Sequence, residues 1–293
     1  MNEIKKAKSA WLSNYKVKKV FFKSKEFKKT IYYLKRQKNL NQSKVIFLLN
    51  SFIQNKYPVA YILIHKRAIV GFLGTIYSNK IIKNIKFLNC NIHSWMVDKD
   101  HRIASSILFN QIKKNSLITV LSALPRLGKT FIKFGFTEFT MKYKLVFIKK
   151  FFSKKKINLN IESNVIKINN AINLKNKKIL KSYLNSKFKI FLLNNNSPQK
   201  NCLIIADILT KKKIFKTMNI IYCSNPLFLK KNLIDFYFLI NKNYKTLLCG
   251  EFYLNKSESL LSKSIFTIRK KKIYLKGAFT KLKFDLLYSE TDF

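Results

Sequence analysis

Glycine, proline and arginine are scarce in this chain of 293 residues. There are 6 glycines and 4 prolines, and only five of the 59 basic residues are arginines. Acidic residues number 13, which leaves a net charge of +46. Hydrophobic residues make up 47% of the sequence, so the chain has ample material for packed cores and does not have the composition of a disordered protein. Its length suits two domains of ordinary size or one large one.

Cysteine and long apolar runs are scarce as well. The 4 cysteines, at positions 90, 202, 223 and 249, contain no CxxC pair, and no histidine lies at metal-ligand spacing. We therefore expect reduced core cysteines, no disulfide framework and no metal site.

The longest apolar runs, such as VIFLL and LITVL, are far shorter than the ~20 residues that span a bilayer. The N-terminus lacks the apolar segment of a signal peptide, so we expect a cytoplasmic protein without a transmembrane segment. Contact with a membrane surface stays open.

The high positive charge has two interpretations. A basic surface is typical of nucleic-acid-binding proteins. However, the excess is almost entirely lysine, and the lysines are spread along the whole chain together with abundant asparagine, isoleucine and phenylalanine. This pattern favours a solvated lysine background over a nucleic-acid-binding surface, although such a charge also attracts anionic ligands over long range.

Hydrophobic periodicity predicts a mixed α/β fold in the first half. Residues 25 to 56 have the spacing of two helices, and PVAYILIHK and AIVGFLGTIY have the pattern of a hairpin. IKFLNCNIHSWMV is predicted to be a long strand, followed by an amphipathic helix, HRIASSILFNQIKK. A strand (LITVLSAL), a short helix that opens at Pro125 and closes at Gly135, and a last strand (FTEFTMKYKLVFI) complete the pattern. Strands with interleaved helices predict a mixed central sheet flanked by helices.

The second half repeats this order after a lysine-rich break at residues 149 to 158. FKIFLLNN, NCLIIADIL and MNIIYCS have strand patterns, PLFLKKNLIDFYFLINK has a helical pattern, and YKTLLCGEFYL is again predicted to be a strand. The predicted division is a first domain at residues 1–148 and a second, smaller lobe of related architecture at residues 159–293.

The stretch SWMVDKDHRIASSILF, residues 94 to 109, has the layout of a strand, a turn and a helix N-terminus that binds a pyrophosphate. Helix N-termini attract anions because their first N–H groups lack intrahelical partners and the helix dipole is positive there. The turn has no glycine, where phosphate-binding turns usually have two or three. Asp98 and Asp100 are expected to cap the following helix.

Three segments in the first half resemble the GNAT superfamily of acyl-CoA N-acyltransferases: VGFLGTIYS (70–78), SWMVDKDHR (94–102) and GKTFIKFGFTEF (128–139). The order and spacing match those of the superfamily. The chain also resembles a two-lobed subgroup associated with cell-surface polysaccharide synthesis, on the Ser-Trp-hydrophobic-Val strand and on the terminal LLYSETDF (286–293). The resemblance implies a mixed sheet of GNAT type in the first domain and a second, smaller GNAT-like lobe.

The resemblance also implies an acyl-CoA site. In this superfamily a β-bulge separates the long central strand from its neighbour, and the pantetheine arm lies in the gap. Met96 and Val97 would then offer backbone amides to the arm, and residues 102–105 would face the phosphates. The cofactor-binding residues implied are Met96, Val97, Arg102, Ile103, Ala104 and Ser105. The cofactor would be acetyl-CoA or another acyl-CoA, without a metal.

The sequence departs from the superfamily pattern at two places. The signature Arg/Gln-x-x-Gly-x-Gly/Ala is matched by Arg102-Ile103-Ala104-Ser105-Ser106-Ile107, with serine and isoleucine at the glycine positions. An alternative alignment deletes the glycine positions and matches Ile103 and Ala104 to the end of the motif. Many relatives have a tyrosine in the last helix that protonates the leaving thiolate, and Phe131 takes that position here.

Three side chains remain candidates for the chemistry. His93 is a candidate general base with a pKa near neutrality, against the alternative of a hydrogen-bonded or solvent-facing strand histidine. Strand alternation places His93, Trp95 and Val97 on one face, so Trp95 is a candidate wall of the substrate pocket. Tyr143 is a candidate proton donor in place of Phe131.

The function that these observations favour is acyl-CoA-dependent N-acyltransfer. A substrate amine would attack the thioester directly, without a covalent enzyme intermediate. The substrate would be a small-molecule or sugar amine, and an amino sugar is suggested by the subgroup alone. The alternatives are a catalytically inactive GNAT-like binding protein of a polysaccharide pathway and a lysine-rich nucleic-acid-binding protein.

Overall fold

The computed structural model describes most of the chain. The residues described are 12–38, 40–50, 56–82, 85–112, 116–121, 123–148, 157, 159–184, 186, 188–195, 201–211, 215–253, 260–261 and 267–277. The segment 286–293 and most of the break at 149–158 lie outside them. Within the described residues, twelve strands form one continuous sheet in the order β1-β2-β3-β4-β5-β12-β6-β11-β10-β9-β8-β7.

The strands and helices have the following bounds. The strands are β1 (Tyr15–Val20), β2 (Ala60–His65), β3 (Ala68–Ile82), β4 (Ile85–Val97), β5 (Leu117–Val120), β6 (Thr137–Phe147), β7 (Asn160–Glu162), β8 (Lys189–Asn194), β9 (Asn201–Lys211), β10 (Phe215–Cys223), β11 (Leu248–Tyr253) and β12 (Thr267–Lys276). The helices are α1 (Lys25–Lys35), α2 (Gln42–Asn50), α3 (Ser105–Phe109), α4 (Gly128–Lys133), α5 (Val165–Ala171), α6 (Leu174–Tyr183), α7 (Pro226–Lys231) and α8 (Leu233–Tyr244). Short 3₁₀ turns at Lys99–Ala104 and Pro125–Leu127 lead into α3 and α4.

Local chemistry accounts for several of these boundaries. Ser24 caps α1, since its hydroxyl accepts a hydrogen bond from the Phe27 N–H. The β2–β3 hairpin turns at Lys66 and Arg67, both of which have positive φ as a tight hairpin turn requires. Gly135 ends the α4 segment with φ of 78°. The two helices predicted in residues 25 to 56, the hairpin and the long strand β4 are observed.

The sheet has helices on both faces. On β3, Phe72 packs into a core with the residues of α1 and α2, while the next residue, Leu73, packs with α3 and α4. Because successive side chains of a strand point to opposite faces, α1 and α2 lie on one face and α3 and α4 on the other. We call these the α1/α2 face and the α3/α4 face. The predicted mixed sheet flanked by helices is confirmed.

The strand β12 was not predicted, and it crosses between the two halves of the chain. It lies between β5 and β6, with Tyr274 opposite Val120 on one side and opposite Glu138 on the other. In turn β6, the last strand of the first half, pairs with β11 of the second half. Each half therefore places its last strand beside strands of the other half.

The helix after β4 is shorter than predicted. The expected amphipathic helix from about Arg102 through residue 114 is a 3₁₀ turn at Lys99–Ala104 and a five-residue α-helix, Ser105–Phe109. Asp98 occupies the N-cap position but makes no side-chain cap hydrogen bond there, because its carboxylate accepts one from the Tyr33 hydroxyl at 2.9 Å. The expectation that Asp98 caps this helix is wrong, and the helix lacks that stabilisation at its start.

The two halves share an element order. Each has a strand, two helices, an antiparallel β-meander, a helical segment and a strand parallel to the last meander strand. In each half this last meander strand contains a bulge, at His93 in β4 and at Ile221 in β10. No helix among the described residues has both the length and the apolarity needed to cross a membrane.

Candidate functional site

A gap opens between the two parallel strands β4 and β5. Their ladder consists of three residue pairs and ends where Asn91 lies opposite Thr119. Beyond that point β4 continues to Val97, but it pairs with β3 alone. Among the described residues, the backbone groups of residues 92 to 97 that point away from β3 therefore have no neighbouring strand, and such an edge can pair with another extended chain.

A bulge at His93 coincides with this gap. Gly74 of β3 lies opposite Ser94 and Thr75 lies opposite Ile92, which leaves His93 as the extra residue. A bulge bends its strand and increases the local twist, which explains why β4 leaves β5 here. The bulge also reverses the alternation of side chains along β4.

His93 consequently does not share a face with Trp95 and Val97, as simple alternation predicted. Its ring lies against Phe72 on the α1/α2 face, 6.5 Å between ring centroids. It also covers Gly74, where a Cβ atom would lie 2.3 Å from His93 Cε1. Trp95 and Val97 pack on the opposite face, with the residues of α3 and α4. The expectation of a shared face is wrong because the sequence gives no sign of the extra residue.

Burial governs the chemistry of His93. The residue is 9% exposed, and burial lowers its pKa to about 3, with a smaller contribution from the positive charge of Lys44. The expected pKa near neutrality is wrong, and a neutral imidazole with so low a pKa is a weak base. Its Nδ1 lies 3.0 Å from Ser94 Oγ, whereas its buried Nε2 has no hydrogen-bond partner among the described residues.

Trp95 lies at the centre of an aromatic cluster on the α3/α4 face. Its ring centroid is 4.8 Å from that of Phe109, 5.7 Å from that of Phe131 and 6.0 Å from that of Phe134. The cluster thus bridges α3 and α4 beneath the end of β4. The buried Nε1 of Trp95 has no hydrogen-bond partner in the part of the chain that the structure describes. A buried indole N–H usually has a partner, so this donor is an exception among the described residues.

Strand alternation identifies the backbone amides that face the gap. The Asp98 N–H donates to the Val70 carbonyl of β3 at 2.9 Å. Amides two residues apart point in the same direction, so the Met96 N–H also points to β3. The amides of Trp95 and Val97 point to the gap instead. Of the two residues expected to offer amides to a pantetheine arm, the alternation therefore places Val97 on that side and Met96 on the other.

The other four predicted cofactor-binding residues, 102–105, are consecutive and lie in the turn after β4. Arg102 is exposed, Ile103 is 55% exposed and Ala104 is fully buried under the turn. Ser105 is half-buried, and its N–H already donates to the Arg102 carbonyl. The groups of this turn that remain for an anion are thus the Arg102 side chain, the Ser105 hydroxyl and the earlier amides of the turn.

Tyr143 lies apart from these residues. It is on β6, which is separated from β4 by β5 and β12. Its hydroxyl donates to Asn219 Oδ1 at 2.5 Å, and both side chains meet over Gly250 of β11. The structure therefore places Tyr143 in the second half of the sheet and does not bring it together with His93 and Trp95.

Sequence reasoning missed two groups beside the gap. Thr119 donates a hydrogen bond to Asn91 Oδ1 at 2.9 Å and joins β4 to β5 at the last pair of their ladder. Tyr274 of β12 stacks on Phe131 at 5.1 Å, and its hydroxyl donates to Glu138 Oε2 at 3.0 Å. The apolar positions of IYLK at 273–276 were a weak signal for this strand, because four of the ten residues of β12 are lysines.

No group of three or more histidine, cysteine or acidic side chains within the described ranges is arranged to hold a metal ion. The four cysteines are free thiols, of which Cys90, Cys202 and Cys249 are buried and Cys223 is half-buried.

Comparison with solved structures identifies the fold. A GCN5-related N-acetyltransferase from Anabaena variabilis matches 89% of this chain and 72% of its own, with a TM-score of 0.60 and 11% identity. One from Kribbella flavida matches 90% of this chain and 71% of its own, with a TM-score of 0.59 and 6% identity. A putative acetyltransferase from Pyrococcus horikoshii matches 94% of both chains, with a TM-score of 0.52 and 14% identity. No protein-family model matches the sequence, and neither does any curated protein. The chain therefore has a mixed α/β fold of the GNAT type.

Proposed function

We propose that this GNAT-fold protein is an acyl-CoA-dependent N-acyltransferase whose acyl-CoA site is the gap between β4 and β5. The observation that carries the proposal is the end of the β4–β5 ladder at Asn91 and Thr119, next to the bulge at His93. Two structural features fit a bound acyl-CoA: amides of β4 face the gap, and the buried Nε1 of Trp95 lacks a partner among the described residues. Acetyl-CoA or another acyl-CoA would supply the activated thioester, and no metal is required.

The residues of β4 would hold the extended arm of the acyl-CoA. The Trp95 and Val97 amides, which alternation turns toward the gap, would pair with it as a neighbouring strand would. The Trp95 ring would form a wall of the substrate pocket. Met96 would contribute through its side chain, since its amide points to β3.

Positive side chains would take over part of the phosphate binding from the missing glycines. Lys99 and Arg102 are exposed on the 3₁₀ turn after β4, and a guanidinium pairs with phosphate in a bidentate manner. Ser105 would add its hydroxyl. Ile103 projects outward and Ala104 is buried, so these two would contribute their backbone alone.

The acceptor would be an amine that arrives neutral, because an ammonium ion has no lone pair to attack the thioester. His93 stays neutral at physiological pH, and its buried Nε2 would orient the amine as a hydrogen-bond acceptor more readily than it would remove a proton. Phe131 cannot protonate the leaving thiolate. Tyr143 would protonate the leaving thiolate if the sulfur of the acyl-CoA extends to β6.

We also infer membership of the two-lobed subgroup associated with cell-surface polysaccharide synthesis, and hence an amino sugar as acceptor. Three observations support this inference: the length of the chain, the shared order of strands and helices in its two halves, and the sequence resemblance. The lobes would be residues 1–148 and 159–293, with their last strands exchanged. The test is release of free CoA from acetyl-CoA in the presence of nucleotide-linked amino sugars, with the deaminated sugars as controls.

Calorimetric titration with acetyl-CoA and with free CoA tests the site itself. Micromolar binding is expected, and Ser105→Trp should abolish it by filling the space next to the turn. The matched control is Asn110→Trp, which adds the same side chain at the exposed far end of the same helix. Equal loss in both variants, or no binding by the wild type at millimolar ligand, would contradict the proposal.

One alternative has an observation of its own in its favour. A catalytically inactive GNAT-like binding protein is consistent with Phe131 at the acid position and with a Ser105 amide that is already bonded to Arg102. Binding of CoA without transfer to any amine acceptor would favour this alternative.

A further inference from the structure

Two of the four cysteines lie side by side in the second half of the sheet. The Sγ atoms of Cys202 on β9 and Cys223 at the end of β10 are 3.3 Å apart. Cys202 is fully buried and Cys223 is half-buried. The other two cysteines, Cys90 and Cys249, are buried free thiols elsewhere in the sheet.

The strand register explains this proximity. Cys223 lies opposite Ile204, so Cys202 is its diagonal neighbour, two residues along β9. Both cysteines pack into the core that contains Ile204 and Met218, which places them on the same face. The bulge at Ile221 precedes Cys223 by two residues, and a bulge increases the local twist, which brings the two side chains together.

The backbone around the pair is fixed by hydrogen bonds. The Ser224 N–H donates to the Leu203 carbonyl at 2.9 Å, and the Leu203 N–H donates to Ser224 Oγ at 2.8 Å. A disulfide has an S–S distance of about 2.05 Å, so the sulfurs must approach by roughly a further 1.2 Å. A displacement of that size is within reach of side-chain rotation on strands that are already in register.

We propose that Cys202 and Cys223 form a reversible disulfide when the protein meets a low-molecular-weight disulfide such as oxidised glutathione. The more accessible Cys223 first attacks one glutathione sulfur as its thiolate, which forms a mixed disulfide and releases one glutathione thiolate. Cys202 then loses its proton and attacks the Cys223 sulfur, which releases the second glutathione. The protein loses two thiol hydrogens and two electrons, and one oxidised glutathione becomes two reduced ones.

Accessibility sets this order of steps, because Cys223 is half-buried whereas Cys202 is fully buried. The hydrogen bond between the two thiols lowers the pKa of Cys202 and raises the pKa of Cys223. The raised pKa of Cys223 slows the first attack, whereas the lowered pKa of Cys202 and its contact with the Cys223 sulfur favour the second. An accessible cysteine next to a resolving cysteine is the arrangement typical of redox-active pairs.

The disulfide would join the end of β10 to β9 immediately before α7. Asn225 caps that helix, since its side chain accepts from the Phe228 N–H, and it is only two residues beyond Cys223. The link would therefore fix the end of β10 beyond Ile220, where its parallel ladder with β11 ends. This inference does not depend on the proposed acyltransferase activity.

The experiment equilibrates the purified, fully reduced chain with graded ratios of reduced to oxidised glutathione. After an acid quench, free thiols are counted in denaturant and the linked peptides are identified by mass spectrometry. The expected result is a loss of two of the four thiols, with one peptide pair that joins Cys202 to Cys223. The same loss is expected with trans-4,5-dihydroxy-1,2-dithiane, which leaves no stable adduct.

Matched variants separate the pair from the other cysteines. The Cys249→Ala variant lacks a buried thiol of β11 and should still lose the thiols of Cys202 and Cys223. The Cys202→Ala variant should keep all three of its thiols when it is treated with the cyclic dithiane. Circular dichroism of each variant establishes that it is folded. Four free thiols at every ratio, a persistent glutathione adduct on Cys223, or a link to Cys90 or Cys249 would overturn the proposal.

Discussion

The buried imidazole of His93 should make the stability of this protein depend on pH. Its pKa is about 3 in the folded protein, against 6.5 for an ordinary histidine. As the pH falls below 6.5, the unfolded chain binds a proton that the folded chain does not bind. The stability that His93 contributes is therefore fully present above pH 6.5 and is lost progressively as the pH falls toward 3.

The magnitude follows from these two pKa values. Between pH 7 and pH 5 the unfolded chain gains about 0.7 of a proton at this position, and the free energy of unfolding falls by about 2 kcal/mol. Because the side chain is only 9% exposed, solvent does not screen this effect appreciably. A neutral side chain of similar size, as in His93→Gln, removes it. The variant should thus lose about 2 kcal/mol less stability than the wild type over the same pH range.

Urea unfolding followed by circular dichroism at pH 7 and pH 5 measures this difference. The other two histidines, His65 and His101, are present in both proteins and cancel. As a control, His65→Gln should keep most of the wild-type pH dependence because His93 is still present. Equal pH dependence in wild type and His93→Gln would refute the reasoning, since His93 would then be protonated as easily in the folded protein as in the unfolded chain.

Three other predictions concern packing. Gly74→Ala places a methyl group 2.3 Å from the His93 ring and should lower the free energy of unfolding by roughly 1–3 kcal/mol, measured by urea titration; a neutral result would mean that the ring has room to move. Phe131→Ala removes a 2% exposed ring from the aromatic cluster and should cost about 3–5 kcal/mol in the same assay, whereas a loss under 1 kcal/mol would show that the cluster is loosely packed. A chain that ends at residue 261 lacks β12 and should lose hydrogen-exchange protection at residues 118–120 of β5, which pair with β12; full protection there would show that β5 does not need this partner.

Hydrophobic periodicity was sufficient to predict most of the elements around the site. The hairpin β2–β3, the long strand β4 and the short helix before Gly135 follow from local apolar spacing and turn residues. The end of the apolar run at Val97 also predicted a turn directly after the long strand β4. The GNAT-type fold was indicated by the resemblance of residues 70–78, 94–102 and 128–139 to that superfamily.

The details that decide the chemistry of the site could not be predicted in this way. Whether β4 contains an extra residue depends on its pairing with Gly74 and Thr75, and pairing is a property of two strands. The faces of His93 and Trp95, the burial of His93 and the direction of the Met96 and Val97 amides all follow from that bulge. The missing side-chain cap at Asp98 likewise reflects a contact with a distant residue, since the Asp98 carboxylate accepts a hydrogen bond from Tyr33.

The sequence by itself determined the class of fold, the separate strands and helices and the identity of the groups available near the gap, because these depend on local spacing and composition. Tertiary structure alone decided that β12 lies between β5 and β6, that Tyr274 stacks on Phe131 and that Cys202 meets Cys223. The physical reason is that these contacts join residues far apart in sequence, and strand register and bulges bring such residues together without leaving a local pattern.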